Sequence, residues 1–460
     1  MKLQAPLSKS QLGIYIECAD HKGEPYYNLP YIYVLDRSLD GERLLAAIET
    51  AFKAHPTLFT RIEMSNEGEP LQTLDMDNEQ WSLGIDDITD IEEEKTRLVV
   101  PFDIDGGRLF HVRLMRNQEH YYLLLDYHHI IVDGTSMQIM LQDIDKAYRG
   151  EAIAPEELTL MYVAVDEAAK RETPAFDEAK QWYAQNFDCG DTFTQFLPDL
   201  EETEHREDNL LRTLSLDLDR VEDYCKRNGV FKSSLFTTAY AFLLAKFNNE
   251  PESLFTTVYN GRSDKRFAHS VGMTVKTLPV YAKFTPETTV LDLLLRGQEQ
   301  MSGCRKHEVY TFTDIMTDLN LQSNSMFAWH GQLFDNETMG GKPMQTVRIG
   351  NSTLGASFYM KVFIKDGKVQ VKAEYSSNEY SREFISQILE SYEAILAGFL
   401  EQEFLREINI TTPDQTATLD SFNCNDVDYD DSQSIVSLFR RQAQATPDAI
   451  AVVYQDKRFT

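Results

Sequence analysis

The sequence predicts an α/β fold built as two lobes, and three observations carry that prediction. Tyr121-Tyr122-Leu123-Leu124-Leu125-Asp126-Tyr127 is a strand-length run, almost wholly apolar, of the kind that forms a strand covered on both faces. Soon after it, Asp133-Gly134 marks a turn, and Thr135-Ser136 opens a helix whose apolar stripe is Met137, Ile139, Leu141 and Ile144. The same succession of strand, helix and strand returns in the second half of the chain, which suggests two α/β layers rather than one.

In the first half, Tyr31–Leu35 reads as a strand and residues 40–54 as a helix with Leu44, Leu45, Ile48 and Phe52 on one face. Leu58–Ile62, Phe110–Met115 and Tyr121–Tyr127 are further strands, and a long polar helix is expected over 160–187. The second half opens near Leu210 with a strand at Thr213–Leu218 and two helices, the second burying Leu235, Tyr240, Leu243, Leu244 and Phe247. Strands follow at Leu254–Tyr259, Thr274–Phe284, Gly355–Ile364 and Val369–Tyr375, then an amphipathic helix over 382–402 with Ile385, Ile388, Leu389 and Tyr392 in its stripe. Thr411-Thr412-Pro413-Asp414 begins a polar, acidic stretch ending at Asp430-Asp431, a linker by composition. Ile435–Gln442 is a short amphipathic helix beyond it. The expected divisions are a first lobe over 1–175, a second over 176–410, a linker over 411–434 and a final segment over 435–460.

Composition narrows the function. Of 460 residues, 42% are apolar and 26% charged, which is ordinary globular chemistry with room for two or three domains. The 44 basic and 74 acidic residues give a net charge of −30, and no Lys/Arg cluster offsets it, so nucleic acid and anionic membranes are poor partners. No run of about eighteen uncharged apolar residues exists to span a bilayer. The start, Met1-Lys2-Leu3-Gln4-Ala5-Pro6, lacks the apolar core of a signal peptide, so a cytoplasmic protein is expected. Five scattered cysteines, without a CxxC pair, read as free thiols in a reducing compartment.

Between the Tyr121–Tyr127 strand and the following helix lies His128-His129-Ile130-Ile131-Val132-Asp133-Gly134. A rigid strand thus delivers a histidine, a carboxylate and a glycine amide to one place, which suits acid–base chemistry at a carbonyl. The motif resembles the HHxxxDG signature of condensation domains from nonribosomal peptide synthetases. Other family blocks accompany it in order. Ser8-Lys9-Ser10-Gln11 with Tyr15 resembles the first block, and His55-Pro56-Thr57-Leu58-Phe59-Thr60-Arg61 the second, with Phe59 where the family usually has arginine. Pro101-Phe102-Asp103-Ile104 leading to Leu109–Leu114 is similar to the entry into the active-site strand, and Met161–Asp166 approximates the fourth block. Gly261-Arg262 and Val271-Gly272-Met273-Thr274-Val275-Lys276-Thr277-Leu278-Pro279 resemble the fifth, with Lys276 in place of an asparagine, and His307–Phe312 is a degenerate sixth. Thr446-Pro447-Asp448-Ala449-Ile450-Ala451-Val452-Val453-Tyr454 looks like the opening of an adenylation domain.

The resemblance implies two chloramphenicol-acetyltransferase-like lobes forming a V-shaped pseudodimer, with the active site in a tunnel between them. It implies amide formation, in which the amine of an aminoacyl-carrier thioester attacks a donor acyl thioester, with both substrates on phosphopantetheine and no cofactor or metal bound by the domain itself. His129 is then expected to meet the attacking amine, mainly by positioning it and taking its proton late, and Gly134 to offer a backbone N–H or open room near the oxyanion. His128, on the opposite strand face, has a mostly structural place at the catalytic centre. Asp133 is expected to pair with Arg262 rather than to orient a base, because no nucleophile is at hand. Ser136 and Lys276 are possible tunnel-lining residues.

Other conspicuous residues have plain readings. Asp103-Ile104-Asp105-Gly106-Gly107 starts like a calcium loop, but Met115 stands where the twelfth-position glutamate belongs, so a turn is expected. His307 and His330 read as core or surface histidines, and neither Ser8 nor Ser136 sits on a nucleophile elbow. Among relatives sharing the motif, epimerisation domains require an EGHGRE-type block that Trp329-His330-Gly331-Gln332 matches poorly. Heterocyclisation domains replace the two histidines with aspartates, and plant-type CoA acyltransferases carry a DFGWG segment that is missing here. Met1 lies close to the first block, with no upstream carrier or docking segment before it. That favours a starter condensation domain, N-acylating the first aminoacyl-carrier with a fatty or other acyl group from acyl-CoA or an acyl carrier protein. An ordinary elongation domain fed in trans by an upstream carrier, and an inactive recruitment domain, remain as alternatives. A downstream adenylation domain is the expected neighbour in the chain.

Overall fold

The His120–His128 strand is buried along nearly its whole length because its two faces belong to different cores. Tyr121, Leu123, Leu125 and Tyr127 point into one core with Leu44, Ile48 and Phe52 of helix Gly41–Ala54 and Met140 and Ile144 of helix Gly134–Arg149. Tyr122 and Leu124 point the other way, against Ile32, Met115 and Leu98. Alternation along one strand therefore explains an apolar run that shows no alternation in sequence.

The protein is described from a computed structural model, which covers all residues except 1, 77–80, 157–158, 191, 202–205, 333–337, 350–356, 425, 427 and 429–431. It divides into two compact units, Met1–Ile410 and Thr411–Thr460. The first unit holds two large sheets. One is ordered Gln345–Arg348, Asn28–Asp36, His120–His128, Phe110–Arg116, Ile85–Asp87, antiparallel except at its last pair. The other is ordered Lys276–Lys283, Glu252–Tyr259, Ser325–Gly331, Phe358–Lys365, Lys368–Ser376, Glu207–Thr213, with Ser325–Gly331 parallel to both neighbours. Helices Lys232–Phe247, Val290–Lys306 and Arg382–Glu401 supply its core with Phe236, Leu243, Leu294, Ile388 and Tyr392.

The two halves of the sequence are not separate in space. Gln345–Arg348, from the second half, pairs with Val34–Tyr31 and completes the sheet that carries His128. No local pattern announces this strand.

Several expected elements shift. Leu58 lies in a 3₁₀ turn, Pro56–Phe59, and the strand starts only at Arg61, running to Met64. The polar helix over 160–187 is two helices, Leu160–Arg171 and Pro174–Asn186. Thr173 is the N-cap and Pro174 the first residue of the second, where a missing N–H costs nothing. The strand placed at Thr213–Leu218 is Glu207–Thr213, because Asp217 caps a helix that begins at Leu218. The strand placed at Gly355–Ile364 is Phe358–Lys365, and Gly355 lies outside the described residues.

In the second unit, the stretch read as a linker contains a helix, Pro413–Phe422, started by a Thr412–Gln415 capping box. Asp430 and Asp431 lie outside the described residues. Helix Ile435–Ala445 and the hairpin Val452–Tyr454/Lys457–Phe459 follow, with none of their residues buried. Among the described residues, no helix is long and apolar enough to cross a membrane.

Candidate active site

The strand ends by handing its last hydrogen bonds to two different loops. His128 N–H donates to the Leu109 carbonyl and His129 N–H to the Tyr27 carbonyl, both at 2.9 Å. Ile130, Ile131 and Val132 then plunge into the core, fully buried. Asp133 is the N-cap of helix Gly134–Arg149, its Oδ1 accepting the Ser136 N–H at 2.8 Å. The two histidines are thus fixed between a strand and an anchored helix. They differ sharply in exposure: His128 is 2% exposed, whereas His129 is only half-buried.

His128 is held neutral. Burial, and secondarily the neighbouring His129, bring its imidazole down to about 3. Its Nδ1 accepts the Ile130 N–H at 3.1 Å, so the ring proton is on Nε2, which points at Cys18 Sγ 3.5 Å away. A cavity of about 320 Å³ opens beside this ring, lined by His128, Cys18, Phe102, Tyr26 and the Lys22–Asp105 ion pair.

Asp133 and Arg262 meet in a bidentate pair, Nη1 to Oδ2 at 2.8 Å and Nη2 to Oδ1 at 3.1 Å, each side chain only 3% exposed. Thr274 adds its N–H to Oδ2 at 3.1 Å and its hydroxyl at 3.0 Å. Burial pushes the Asp133 carboxyl up, but the Arg262 charge and these hydrogen bonds outweigh it, so the net shift is downward. Gly261 makes the approach possible: its φ is +65°, and a Cβ there would lie 1.8 Å from the Thr274 carbonyl oxygen.

Ser136 does not line open space. It is fully buried, and its hydroxyl bridges Asp133 Oδ1 (2.8 Å), the Gly272 carbonyl (2.8 Å) and N–H (2.9 Å), and Arg262 Nη2 (2.9 Å). Its short side chain therefore ties helix Gly134–Arg149 to the Gly272 loop, which corrects the expectation of a tunnel-lining role. Lys276 is partly buried, with Nζ 3.3 Å from Glu167 Oε2; Glu167 Oε1 also accepts the Lys9 N–H at 2.8 Å. Gly134 is the first residue of its helix, where N–H groups have no partner within the helix.

Sequence reasoning missed three contributors. Cys18 and Tyr27 reach the histidines from helix Lys9–Asp20 and the loop after it, and Thr274 completes the Asp133 shell. It also missed a second buried polar cluster, in which His55 Nε2 is 3.0 Å from Asp143 and Nδ1 is 3.6 Å from Glu156. Burial works to lower the His55 imidazole, but these carboxylates outweigh it and the net shift is upward. His307 stacks on Trp182 at 5.0 Å, and burial holds His330 down to about 4. Among the described residues, no group of three or more His, Cys, Asp or Glu is placed to hold a metal ion.

Comparison with known proteins adds the family. The model of the condensation domain matches residues 1–419. The chain belongs to the condensation domain family. Condensation domains of nonribosomal peptide synthetases are amide-bond-forming acyltransferases that use no cofactor of their own, their substrates riding on the phosphopantetheine of carrier proteins. The chain is 26% identical over 479 residues to tyrocidine synthase 2 of Brevibacillus parabrevis, covering 99% of this chain and 13% of that protein. It is 25% identical over 475 residues to surfactin synthase subunit 1 of Bacillus subtilis (strain 168), covering 99% and 13%. It therefore spans about an eighth of the length of these relatives. Its fold is that of solved condensation domains. The first condensation domain of the calcium-dependent antibiotic synthetase, in complex with a substrate analogue, superposes with a TM-score of 0.73 at 16% identity, over 89% of this chain and 99% of that one. The starter condensation domain of rhizomide synthetase gives 0.73 at 15% identity, over 89% and 100%. The two-lobed chloramphenicol-acetyltransferase-like pseudodimer of condensation domains is thus the architecture of the Met1–Ile410 unit.

Proposed function

We propose that this condensation domain works through His129, and that it acts as a starter domain, N-acylating an aminoacyl-carrier with a fatty or other carboxylic acyl group. The observation that carries the first part is the contrast within the motif: His128 is buried, neutral and hydrogen-bonded on both ring nitrogens, while His129 is half-buried and held by its backbone. His129 receives the amine of the aminoacyl thioester and aligns it on the donor carbonyl. As the C–N bond forms, the carbonyl oxygen gains negative charge, and the N–H of Gly134 at the helix N-terminus stabilises it. His129 takes the ammonium proton late, the C–S bond breaks, and the pantetheine thiolate leaves and is protonated. Asp133 and Arg262 touch neither substrate and fix the helix that carries Gly134.

Support for the starter assignment comes from the likeness to the rhizomide starter domain. The donor is then acyl-CoA or an acyl carrier protein, and the acceptor an aminoacyl-loaded peptidyl carrier. The next partner in the chain is an adenylation domain opening at 435–460. The resemblance of Thr446–Tyr454 to the opening of such a domain supports this, and the alignments to the synthases, covering 99% of the chain, extend past residue 419, where the condensation domain match stops. All five cysteines are free, which fits a reducing cytoplasm.

The test is to incubate the domain with an aminoacyl-carrier and a series of acyl-CoA and acyl-carrier donors, and to weigh the carrier-bound product. N-acylation from either donor supports the starter reading. Transfer only from a peptidyl-carrier eliminates it in favour of an elongation domain.

A further inference from the structure

One helix grips the histidine motif at several points. Lys9–Asp20 turns Gln11, Ile14 and Cys18 inward. Gln11 Nε2 donates to the Ile130 carbonyl at 3.0 Å, and Cys18 Sγ faces His128 Nε2. Glu17, beside Cys18, accepts the Tyr27 hydroxyl at 2.5 Å.

Tyr27 is in a conformation its side chain disfavours. Its φ is 60°, in the left-handed region, where a bulky residue is an outlier. The other non-glycine residues with positive φ among the described ones are Asn249, Asn320, Asp366 and Gln455, all in hairpin turns or just past helix ends, where this geometry is routine. Tyr27 is the third residue of a turn closed by the Asn28 N–H on the Pro25 carbonyl at 3.4 Å, a position that normally takes glycine or asparagine, and it immediately precedes Asn28, the strand residue that pairs with His128. Held there, its carbonyl accepts the His129 N–H at 2.9 Å. Its ring stands edge-on to the His129 imidazole, centroids 6.1 Å apart and planes at 83°. Tyr26 packs edge-on against the Tyr27 ring at 4.9 Å and stacks on His21 at 4.1 Å. A glycine would hold this backbone more easily, so what tyrosine adds is the ring.

We propose that Tyr27 is a positioning residue for amide formation, its left-handed backbone and its ring together fixing the imidazole of His129 in the orientation that receives the amine. Glu17 accepts the hydroxyl's hydrogen bond and adds a minor share to this hold, the packed ring supplying most of it. The inference rests on the reading of His129 given above and deepens it: backbone strain next to the motif is maintained because it aims a side chain.

The experiment compares Tyr27→Gly and Tyr27→Phe with the parent, using any donor that the parent turns over. Glycine keeps the left-handed backbone and the carbonyl but removes the ring; phenylalanine keeps the ring and removes only the Glu17 contact. Tyr27→Gly is expected to lower kcat by about 10- to 100-fold with KM for the aminoacyl-carrier within about twofold of the parent, and Tyr27→Phe to restore kcat to within about threefold. In histidine-labelled protein, the His129 ring resonance should shift and broaden in Tyr27→Gly and return in Tyr27→Phe, a change that mere loss of stability does not produce in folded protein. Should Tyr27→Gly not fold, Tyr27→Asn carries the same expectations, since asparagine tolerates the left-handed region. Parental kcat in Tyr27→Gly, an unmoved His129 resonance, or an equal loss in Tyr27→Phe overturns the proposal. His129→Ala, assayed alongside, separates the two levels. Parental turnover in that variant refutes the role of His129 itself, whereas a dead His129→Ala beside a fully active Tyr27→Gly refutes only the positioning.

Discussion

Arg262 closes both of its terminal nitrogens on the Asp133 carboxylate, joining residues 129 positions apart in the chain. The pair sits between the helix that carries Gly134 and the Gly272 loop, with Ser136 and Thr274 filling the remaining lone pairs. Removing one partner leaves the other charge buried. Asp133→Ala and Arg262→Ala should each cost about 3–5 kcal/mol of unfolding free energy. The double variant should lose less than the sum, by roughly 1–3 kcal/mol. Urea denaturation of the four proteins measures both quantities. An Asp133→Ala protein that melts like the parent yet has lost all turnover would falsify the structural role.

Gly261 tests the same shell through the backbone. Its positive φ and the Thr274 carbonyl in the path of a Cβ mean that Gly261→Ala must move the Arg262 loop. The expected loss is at least about 2 kcal/mol, with turnover falling in parallel. Thermal melting that stays within a degree of the parent contradicts it.

His129→Ala should separate activity from folding. The side chain is half-buried and its backbone bond survives the substitution, so Tm should hold while turnover drops by about 10²–10⁴-fold. Single-turnover product formation gives the ratio directly.

His128 makes acid pH costly. Its folded value, about 3, lies below the ordinary 6.5, so the unfolded chain binds a proton that the folded one refuses. Stability from this group is intact above 6.5 and is lost as pH falls towards 3, amounting to about 5 kcal/mol across the window. His128→Gln should flatten the acid limb of a plot of unfolding free energy against pH. If the two curves stay parallel below pH 6.5, the ring is not held neutral.

His55 behaves oppositely. Its folded value is raised above 6.5 by Asp143 and Glu156, so its contribution is complete below 6.5 and disappears as pH rises through the folded value. The parent should lose stability relative to His55→Gln as pH rises above 6.5, which differential scanning calorimetry at a series of pH values can follow.

Much of this site was legible because its parts are contiguous. The strand, the two histidines, the capping aspartate and the helix occupy one stretch, and each announces itself through period, burial or turn chemistry. Arg262 was reachable only through its resemblance to a family block. Tyr27 and Cys18 were not legible: their contacts with the histidines cross about a hundred residues, and neither residue type signals a partner at that distance. Ser136 was misread for a related reason. Sequence places it one turn into the helix but does not say that the Gly272 loop covers that turn. The 345–348 strand was invisible because its pairing is entirely non-local and its composition is unremarkable for a loop.

That borrowed strand bears on any attempt to split the molecule. Bisecting the chain anywhere between the two halves would strand Gln345–Arg348 on one fragment and leave Tyr31–Val34 on the other with a bare row of amides and carbonyls flanked by Ile32 and Val34. Fragments made this way should be insoluble when expressed singly and recover only when co-expressed, the second mending the open margin of the first.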